Sequence, residues 1–314
     1  MLDISRKFNT LRTAKAIATL KLKPETIELI QQNKVPKGDP FWVAKVAAVQ
    51  AAKNTSLIIP YCHPLRVDFV DCRFQVVDSR IEIETEVKAI YKTGVEMEAL
   101  TAAAVAALTL YDMVKMLDDT MEIVGLKLIE KKGGKSDFKE SFSVPLRAAV
   151  LVMSDSIAAG KKSDLSGRFI VERLEKEGVD VVEYKIIPDD VEQIQHLLVC
   201  YADEMKMNLV LTTGGTGFSP RDFSPEATMK VIDREIPGIP ETMRTYGQER
   251  TPYSMLSRGI AGIRGSTIIV NLPGSRKGVA ESLDALFPAL LHSFKILRGG
   301  GHGLREKEVV REES

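Results

Sequence analysis

The sequence predicts two domains of different class, an α+β domain over residues 1–140 and an α/β doubly wound domain over residues 146–300, followed by a charged tail at 301–314. Three observations predict this. The chain has 314 residues, more than the ~100–200 of one ordinary domain. In the first 140 residues, apolar side chains recur at every second position in the strand-like segments, the mark of strands with one wet face. From Arg147 onward the strand-like segments are apolar throughout and alternate with helical stretches, which indicates a parallel sheet covered on both faces.

In the first domain, residues 24–33 and 40–53 read as two short helices around the loop Val35-Pro36-Lys37-Gly38-Asp39. Val70-Cys72-Phe74-Val76 and Ile81-Ile83-Thr85-Val87 alternate with polar residues and form two strands, with Asp78-Ser79-Arg80 as the turn between them. The Ala-rich stretch from Val95 to Leu117 favours helix. A strand near Glu122–Glu130 precedes Gly133-Gly134. Strands in a run with helices on one face give an antiparallel α+β sandwich.

The second domain opens on the apolar run Ala148–Met153, ending in Ser154-Asp155-Ser156. Helix 168–177 stops at Gly178, strand 179–187 ends in Pro188-Asp189-Asp190, and helix 190–204 follows. Strand 208–211 runs into Thr212-Thr213-Gly214-Gly215-Thr216-Gly217. Strand 266–270 runs into Asn271-Leu272-Pro273-Gly274-Ser275, and a last helix spans 276–297. Ligands of such sheets bind at the carboxyl ends of the strands. The boundary is expected within Lys139–Pro145, where no period is visible.

Composition excludes several classes. Forty-three basic residues balance forty-three acidic ones, so neither a nucleic acid nor a membrane surface is an expected partner. Three cysteines (Cys62, Cys72, Cys200) without a C-x-x-C pair argue for a reducing compartment and against a disulfide or zinc framework. Met1–Lys7 lacks a signal-peptide core, and no apolar run is expected to reach the ~18 residues of a membrane span. The expected location is the cytoplasm.

Four clusters in the first domain could carry chemistry. Lys37-Gly38-Asp39 offers a point charge for a phosphate, or is only a surface turn. In Tyr61-Cys62-His63-Pro64 the proline holds His63 extended; the plain alternative is a structural histidine. Lys92-Thr93-Gly94-Val95-Glu96-Met97-Glu98 is the third. The fourth, Tyr111–Lys115, puts Asp112 and Lys115 at i and i+3 on the helix face that carries Thr101, Val105 and Leu108. That apolar stripe predicts that the pair lies on the packed side, where an ion pair is costly. Glu98 and Asp112 are fourteen residues apart, about 21 Å along a helix, so one small ligand can meet both only if a second subunit takes part. In the basic run Lys131–Lys135, a phosphate contact competes with a solvated loop.

In the second domain, glycines at 214, 215 and 217 let backbone amides turn toward an anion. Ser219-Pro220-Arg221-Asp222 adds a cation and a carboxylate, Asp189 ends the neighbouring strand, and Asp155, Asp164, Ser166 and Gly167 follow the first strand. Carboxylates beside a phosphate nest suit Mg²⁺ with a nucleotide. The alternative is that each aspartate caps a helix.

The first domain resembles the cyclic pyranopterin monophosphate synthase (MoaC) family. The motifs are Lys37-Gly38-Asp39, Ile59–Leu65, Lys92–Thr101, Leu110–Met113 and Gly133-Gly134-Lys135-Ser136, in that order. The resemblance implies a ferredoxin-like fold, hexamers with sites at subunit interfaces, and rearrangement of a cyclised GTP to a cyclic pyranopterin with release of pyrophosphate. It implies Asp112 and Lys115 as the catalytic pair. Tyr61, Cys62, His63, Glu96, Met97 and Glu98 fall at substrate positions, and Lys37, Lys131 and Lys135 on the phosphate side. Tyr61 stands where the family commonly has Leu; its ring either meets the base or packs. A Lys–Asp pair serves as a proton shuttle if burial tunes the lysine down.

The second domain is similar to the molybdopterin-binding (MogA/MoaB) family through Ser154-Asp155, Asp164–Gly167, Thr213–Gly217, Ser219–Asp222, Thr228 and Asn271–Ser275. This implies a trimer and AMP transfer from Mg·ATP to the pterin phosphate. Asp189 and Asp222 are the implied catalytic and metal-holding aspartates. Ser154, Asp155, Gly214, Gly215, Thr216, Gly217, Arg221, Pro273, Gly274 and Ser275 are the implied nucleotide or pterin contacts. A non-catalytic pterin-binding or scaffold module is the alternative. A Rossmann dehydrogenase is disfavoured, because no G-x-G-x-x-G follows the first strand.

Overall fold

The computed structural model describes residues 1–299. The tail expected at 301–314 lies outside the described residues. The chain divides into two compact units, one of Met1–Asp137 and a second beginning at Phe138, and each is described by itself.

The first unit runs β1 (Thr10–Lys21), α1 (Pro24–Gln31), α2 (Pro40–Lys53), α3 (Thr55–Ile58), β2 (Phe69–Val77), β3 (Arg80–Tyr91), α4 (Glu96–Val114) and β4 (Glu122–Lys132). Its sheet has the order β2-β3-β1-β4 with every pairing antiparallel, the ferredoxin-like arrangement. Strand β1, absent from the sequence reading, is central. Its core face is Arg12, Ala14, Ala16, Ala18 and Leu20; alanine favours helix and is depleted in strands, so composition hides it.

Helix α4 lays Ala99, Ala102, Ala103, Ala106, Ala107 and Leu110 on the core. The small side chains of α4 and β1 meet along one alanine seam. Contrary to expectation, α4 is long and apolar enough by length and composition to cross a membrane. The buried alanine stripe accounts for that composition, as the core helix of a folded domain. Asp39 caps α2 by accepting from Phe41 N (2.9 Å) and Trp42 N (3.2 Å), so its role is local.

The second unit contains β5 (Arg147–Met153), α5 (Asp155–Ala158), α6 (Ser166–Lys176), β6 (Asp180–Ile187), α7 (Val191–Val199), β7 (Leu209–Thr213), α8 (Ser224–Met229), β8 (Arg234–Glu235), α9 (Gly238–Gln248), β9 (Ala261–Arg264), β10 (Thr267–Leu272), α10 (Arg276–Leu286) and α11 (Ser293–Leu297). The sheet order is β6-β5-β7-β10-β9-β8; the first four strands are parallel and the last two antiparallel. Alternate residues of β5 serve opposite faces. Ala148 and Val150 pack with α6, α9 and α10, while Ala149, Leu151 and Met153 pack with α7 and α8.

Three differences from the sequence reading have local causes. Pro288 cannot continue a helix, so the helix expected over 276–297 is α10, a 3-10 turn at Ala289–His292, and α11. The helix expected over 190–204 passes from α7 into a π turn at Cys200–Glu204. The segment expected as a linker is anchored to the second unit: Phe142 packs on its core, and Glu140 accepts from His292 Nδ1 at 2.7 Å and pairs with Lys295.

Candidate active sites

At the N-terminal end of α4 two cavities share a wall. One, of 510 Å³, is lined by Tyr61, Cys62, His63, Met97 and Glu98. The other, of 410 Å³, is lined by Arg12, Lys131, Lys132 and Lys135. Lys7, Thr93, Gly94 and Glu96 border both. The hydrogen bond between His63 Nε2 and Leu2 O (2.9 Å) holds the imidazole. The Glu96 carboxylate lies close over Gly94, 2.0 Å from where a Cβ there would stand, so a side chain at 94 would displace it. Lys131 Nζ stands 3.8 Å from Glu96.

Glu98 is 4% exposed, and burial pushes its carboxyl up to about 7, helped by the charge of Glu96. Such a group suits proton transfer near neutral pH. Its ordinary value is 4.5, so the folded chain holds a proton that the unfolded chain has released between the two values. The associated stability is complete below about 4.5 and is lost as pH rises through about 7. Glu98→Gln removes the loss. At pH 8 the variant should resist urea better than the parent by ~2 kcal/mol, discounted from the full shift because the cavity is open to solvent. The two should converge near pH 4.5, and parallel pH profiles would reject this picture.

The other end of α4 holds a separate cluster. Asp112 bonds Lys115 Nζ through Oδ1 and Lys37 Nζ through Oδ2, both at 2.8 Å, and its carbonyl accepts from Lys37 at 2.7 Å. Two expectations are corrected here. The pair does not lie on the packed side: the side chains of Asp112 and Lys115 are 58% and 57% exposed, and Leu108 is exposed with them. The helical period turns the alanines inward and this face outward. Lys115 is also not tuned down; its bond to Asp112 pushes it up, while Lys115 and then Lys37 hold Asp112 at about 2. Lys37 stands with Asp112, not with Lys131 and Lys135. Glu98 and Asp112 both lie on α4, so the separation of about 21 Å stands.

In the second unit the parallel strands reverse direction of growth between β5 and β7, the switch point where doubly wound sheets bind ligands. Three strand-end loops meet there. Gly214 adopts φ +102°, and a Cβ would lie 2.1 Å from Met153 O, so only glycine fits. Thr213 Oγ1 donates to Pro273 O (2.7 Å), and Ser166 Oγ to Gly274 O (2.9 Å). Ser275 caps α10 by accepting from Gly278 N at 3.1 Å. Pro273 and Ser275 also line a 390 Å³ cavity against α9 and α10, with Arg244, Tyr253 and Lys277.

The aspartates divide by role. Asp164 accepts from Ser166 N (3.0 Å), Gly167 N (2.9 Å) and the Tyr184 hydroxyl, so it fastens the start of α6. Asp222 Oδ2 accepts from Ser219 N (2.7 Å), which braces its own turn. Asp155 pairs with Arg221 and accepts from Asp189 N at 3.3 Å. Ser154 Oγ contacts Ser156 Oγ at 3.2 Å. Asp189 differs: its Oδ1 is buried without a hydrogen-bond partner. Burial pushes its carboxyl up, aided by the charges of Asp155 and Asp222. An orphaned carboxylate oxygen beside other carboxylates fits a bound cation. No group of three or more metal-ligating side chains closes a cage among the described residues; the fit is to an ion that brings phosphate oxygens and water with it, as Mg²⁺ does. A Cβ on Gly215 would lie 3.1 Å from Asp189 Oδ1, and one on Gly217 3.0 Å from Asp222 Oδ2, so both carboxylates lie against the glycine loop.

Arg258 escaped the sequence reading. It donates to Gly217 O (2.7 Å) and Asp222 O (2.6 Å), pairs with Glu226, and its own amide donates to Thr216 O at 2.9 Å. It sets the glycine loop from 36 residues beyond Asp222, with no local motif to reveal it.

Comparison with known proteins matches the two units to two families. The MoaC family model matches residues 1–134, and the model described as "Probable molybdopterin binding domain" matches residues 149–292. The molybdenum cofactor biosynthesis bifunctional protein of Chlorobaculum tepidum is 42% identical over 302 residues, 96% of this chain and 96% of its own. A cyclic pyranopterin monophosphate synthase of Desulfitobacterium hafniense is 50% identical over 137 residues, 43% of this chain and 84% of its own. The molybdopterin biosynthesis enzyme MoaB of Thermus thermophilus is 44% identical, covering 49% of this chain and 97% of its own, with a TM-score of 0.47. The chain thus belongs to the family of bifunctional proteins of molybdenum cofactor biosynthesis, a MoaC domain followed by a MogA/MoaB-like domain.

Proposed function

We propose that the first unit converts a cyclised GTP to cyclic pyranopterin monophosphate with release of pyrophosphate, and that the second transfers AMP from Mg·ATP to molybdopterin. The observation that supports the first activity is the shared wall of the two cavities at α4. One end offers Cys62, His63 and Glu98 to a heterocycle, and the other offers Lys131 and Lys135 to its phosphates. Glu98 and His63 hold and move protons on the ring; the lysines bind the chain of phosphates.

Asp112, Lys115 and Lys37 reach the same ligand from a second subunit. Trp42, Val46, Leu57 and Leu108 leave apolar surface on the helical side of the unit, which a neighbouring copy covers in a hexamer. That covering also desolvates Lys115, favouring its neutral form.

In the second unit the amides of Gly214–Gly217 and the guanidinium of Arg221 hold the nucleotide phosphates, and Pro273–Ser275 borders the pterin. Asp189 and Asp222 would hold Mg²⁺, and the ion would supply neutralisation of phosphate charge. Trimers and a cytoplasmic location belong to the same proposal.

Mixing tests the shared site directly. Glu98→Gln and Asp112→Asn chains, each about a hundredfold or more impaired alone in pterin formation, are unfolded together, refolded and assayed. Sites that draw one end of α4 from each variant contain either two intact ends or two damaged ones. About a quarter of parental activity should return from an equal mixture. No recovery in properly reassembled mixtures would place each site within one chain.

A further inference from the structure

We propose that residues 1–7 form a strap that closes over the heterocycle end of the first unit's site. Leu2 is the residue through which it acts: its carbonyl is latched to His63, and its side chain covers the bound ring. The inference rests on the nucleotide reading of the first unit and adds a moving part to it.

The segment before β1 has no helix or strand. It holds one turn, in which Lys7 N donates to Ile4 O at 3.0 Å and Ser5 N to Asp3 Oδ1 at 2.8 Å. It is fastened at two places. At the start of β1, Thr10 Oγ1 donates to Gly133 O at 2.8 Å. At the other end, His63 Nε2 donates to Leu2 O at 2.9 Å. A carbonyl only accepts, so this bond puts a proton on Nε2 and makes Nδ1 the acceptor of the neutral ring. Pro64 keeps the backbone of His63 extended, so the latch point is rigid and the strap is the part that moves. Leu2 and Ile4 line the 510 Å³ cavity together with His63 and Leu65, and the same four residues line a second cavity of 1170 Å³. The strap is the partition between them.

Met1 and Leu2 line the smaller cavity, yet they are 68% and 84% exposed. Apolar side chains left in water contribute nothing to holding the strap down. One exposed backbone bond and a turn hold it, the pattern of a segment that opens readily. The side chains gain a partner only when something apolar enters the cavity. A flat heterocycle beneath them would be covered, and they would be withdrawn from water along with it. Occupancy of the cavity and closure of the strap therefore favour one another, because the closed form binds the ring better than the open one.

The test uses the full chain without Mg²⁺, with GTP as the probe and inorganic tripolyphosphate as the ring-free control. Two side chains report separately. Alkylation of Cys62, which lines the cavity, reads occupancy. Hydroxyl-radical oxidation of Leu2, normalised to the exposed Val144, reads the strap. In the parent, GTP should slow Leu2 oxidation about threefold over the same concentrations that protect Cys62, as expected when most of one exposed side chain is covered. Tripolyphosphate should leave Leu2 oxidation unchanged. Leu2→Ser, at a side chain too exposed for folding to depend on it, should need about fivefold more GTP for half-protection of Cys62, the effect of no longer burying one leucine in part. Leu2→Met should restore the parental value. Protection of Cys62 with Leu2 oxidised at its ligand-free rate overturns the strap and leaves the nucleotide reading intact, as does parental GTP dependence in Leu2→Ser. GTP that protects neither residue overturns both.

Discussion

Asp112→Asn should lower pyranopterin formation 10²–10⁴-fold, the usual worth of a positioned acid–base group, without a measurable change in melting temperature. Exposed ion pairs contribute little to stability, and the Asp112 carboxylate lies between Lys115 and Lys37 on an open face. Lys115→Ala should behave alike. The pH dependence separates this cluster from the other. Asp112 is held at about 2 and Lys115 is pushed up, so neither changes charge between pH 5 and 8 in the isolated chain. The inflection that Glu98 contributes, at about 7, should disappear in Glu98→Gln. Near-normal turnover in Asp112→Asn, or the same pH profile in parent and Glu98→Gln, would reject the division of labour.

In the second unit, Asp189→Asn is expected to reduce AMP transfer more than a hundredfold while pterin affinity stays within threefold. The amide keeps the shape but cannot supply the orphaned anionic oxygen. Because burial and the neighbouring carboxylates raise the Asp189 value, the parent loses stability as pH rises through that raised value. The variant should not. Mg²⁺ with ATP should restore the parent's melting temperature at pH 8 and leave Asp189→Asn unmoved, a readout independent of turnover. Asp222→Ala should also lose rate, and in addition loosen the 219–222 turn that Asp222 braces. Full AMP transfer in EDTA, or equal transfer in parent and Asp189→Asn, would favour a domain that only binds pterin.

The parts of the fold legible in the sequence are those whose period and composition agree. The β2–β3 hairpin, the four parallel strands and α4 all announce themselves. β1 does not, because its inward residues are alanines and one arginine, a pattern that local preference assigns to helix. Residues 218–265, where β8 and β9 form the antiparallel edge of the second sheet with α9 between them in the chain, are too polar and interrupted to show a period. The chemistry was legible where it is contiguous, as in Lys92–Glu98 or Thr213–Asp222. It was hidden where a distant residue reaches in: Arg12 enters from an unseen strand, and Arg258 acts on carbonyls. The face of Asp112 was misjudged for a related reason. Thr101, Val105 and Leu108 form an apolar stripe, but the wider alanine stripe had the stronger claim on the sheet.

The alanine seam between β1 and α4 acts as a gauge block. Ala14, Ala16 and Ala18 share one core with Ala99, Ala102, Ala103, Ala106 and Ala107, all buried. With few long side chains along this seam to re-rotamer, the helix has little to slide on, and both its termini are referenced to one sheet. Enlarging any of these methyls would cost about 1–3 kcal/mol in packing. It would also tilt the gauge, moving Glu98 and Asp112 in opposite senses about the substituted turn. A displacement near 1 Å can cost about a hundredfold in rate. Residues that touch no ligand therefore set the tolerance to which two distant ends are machined, and the smallest side chains in the domain carry its dimensional accuracy.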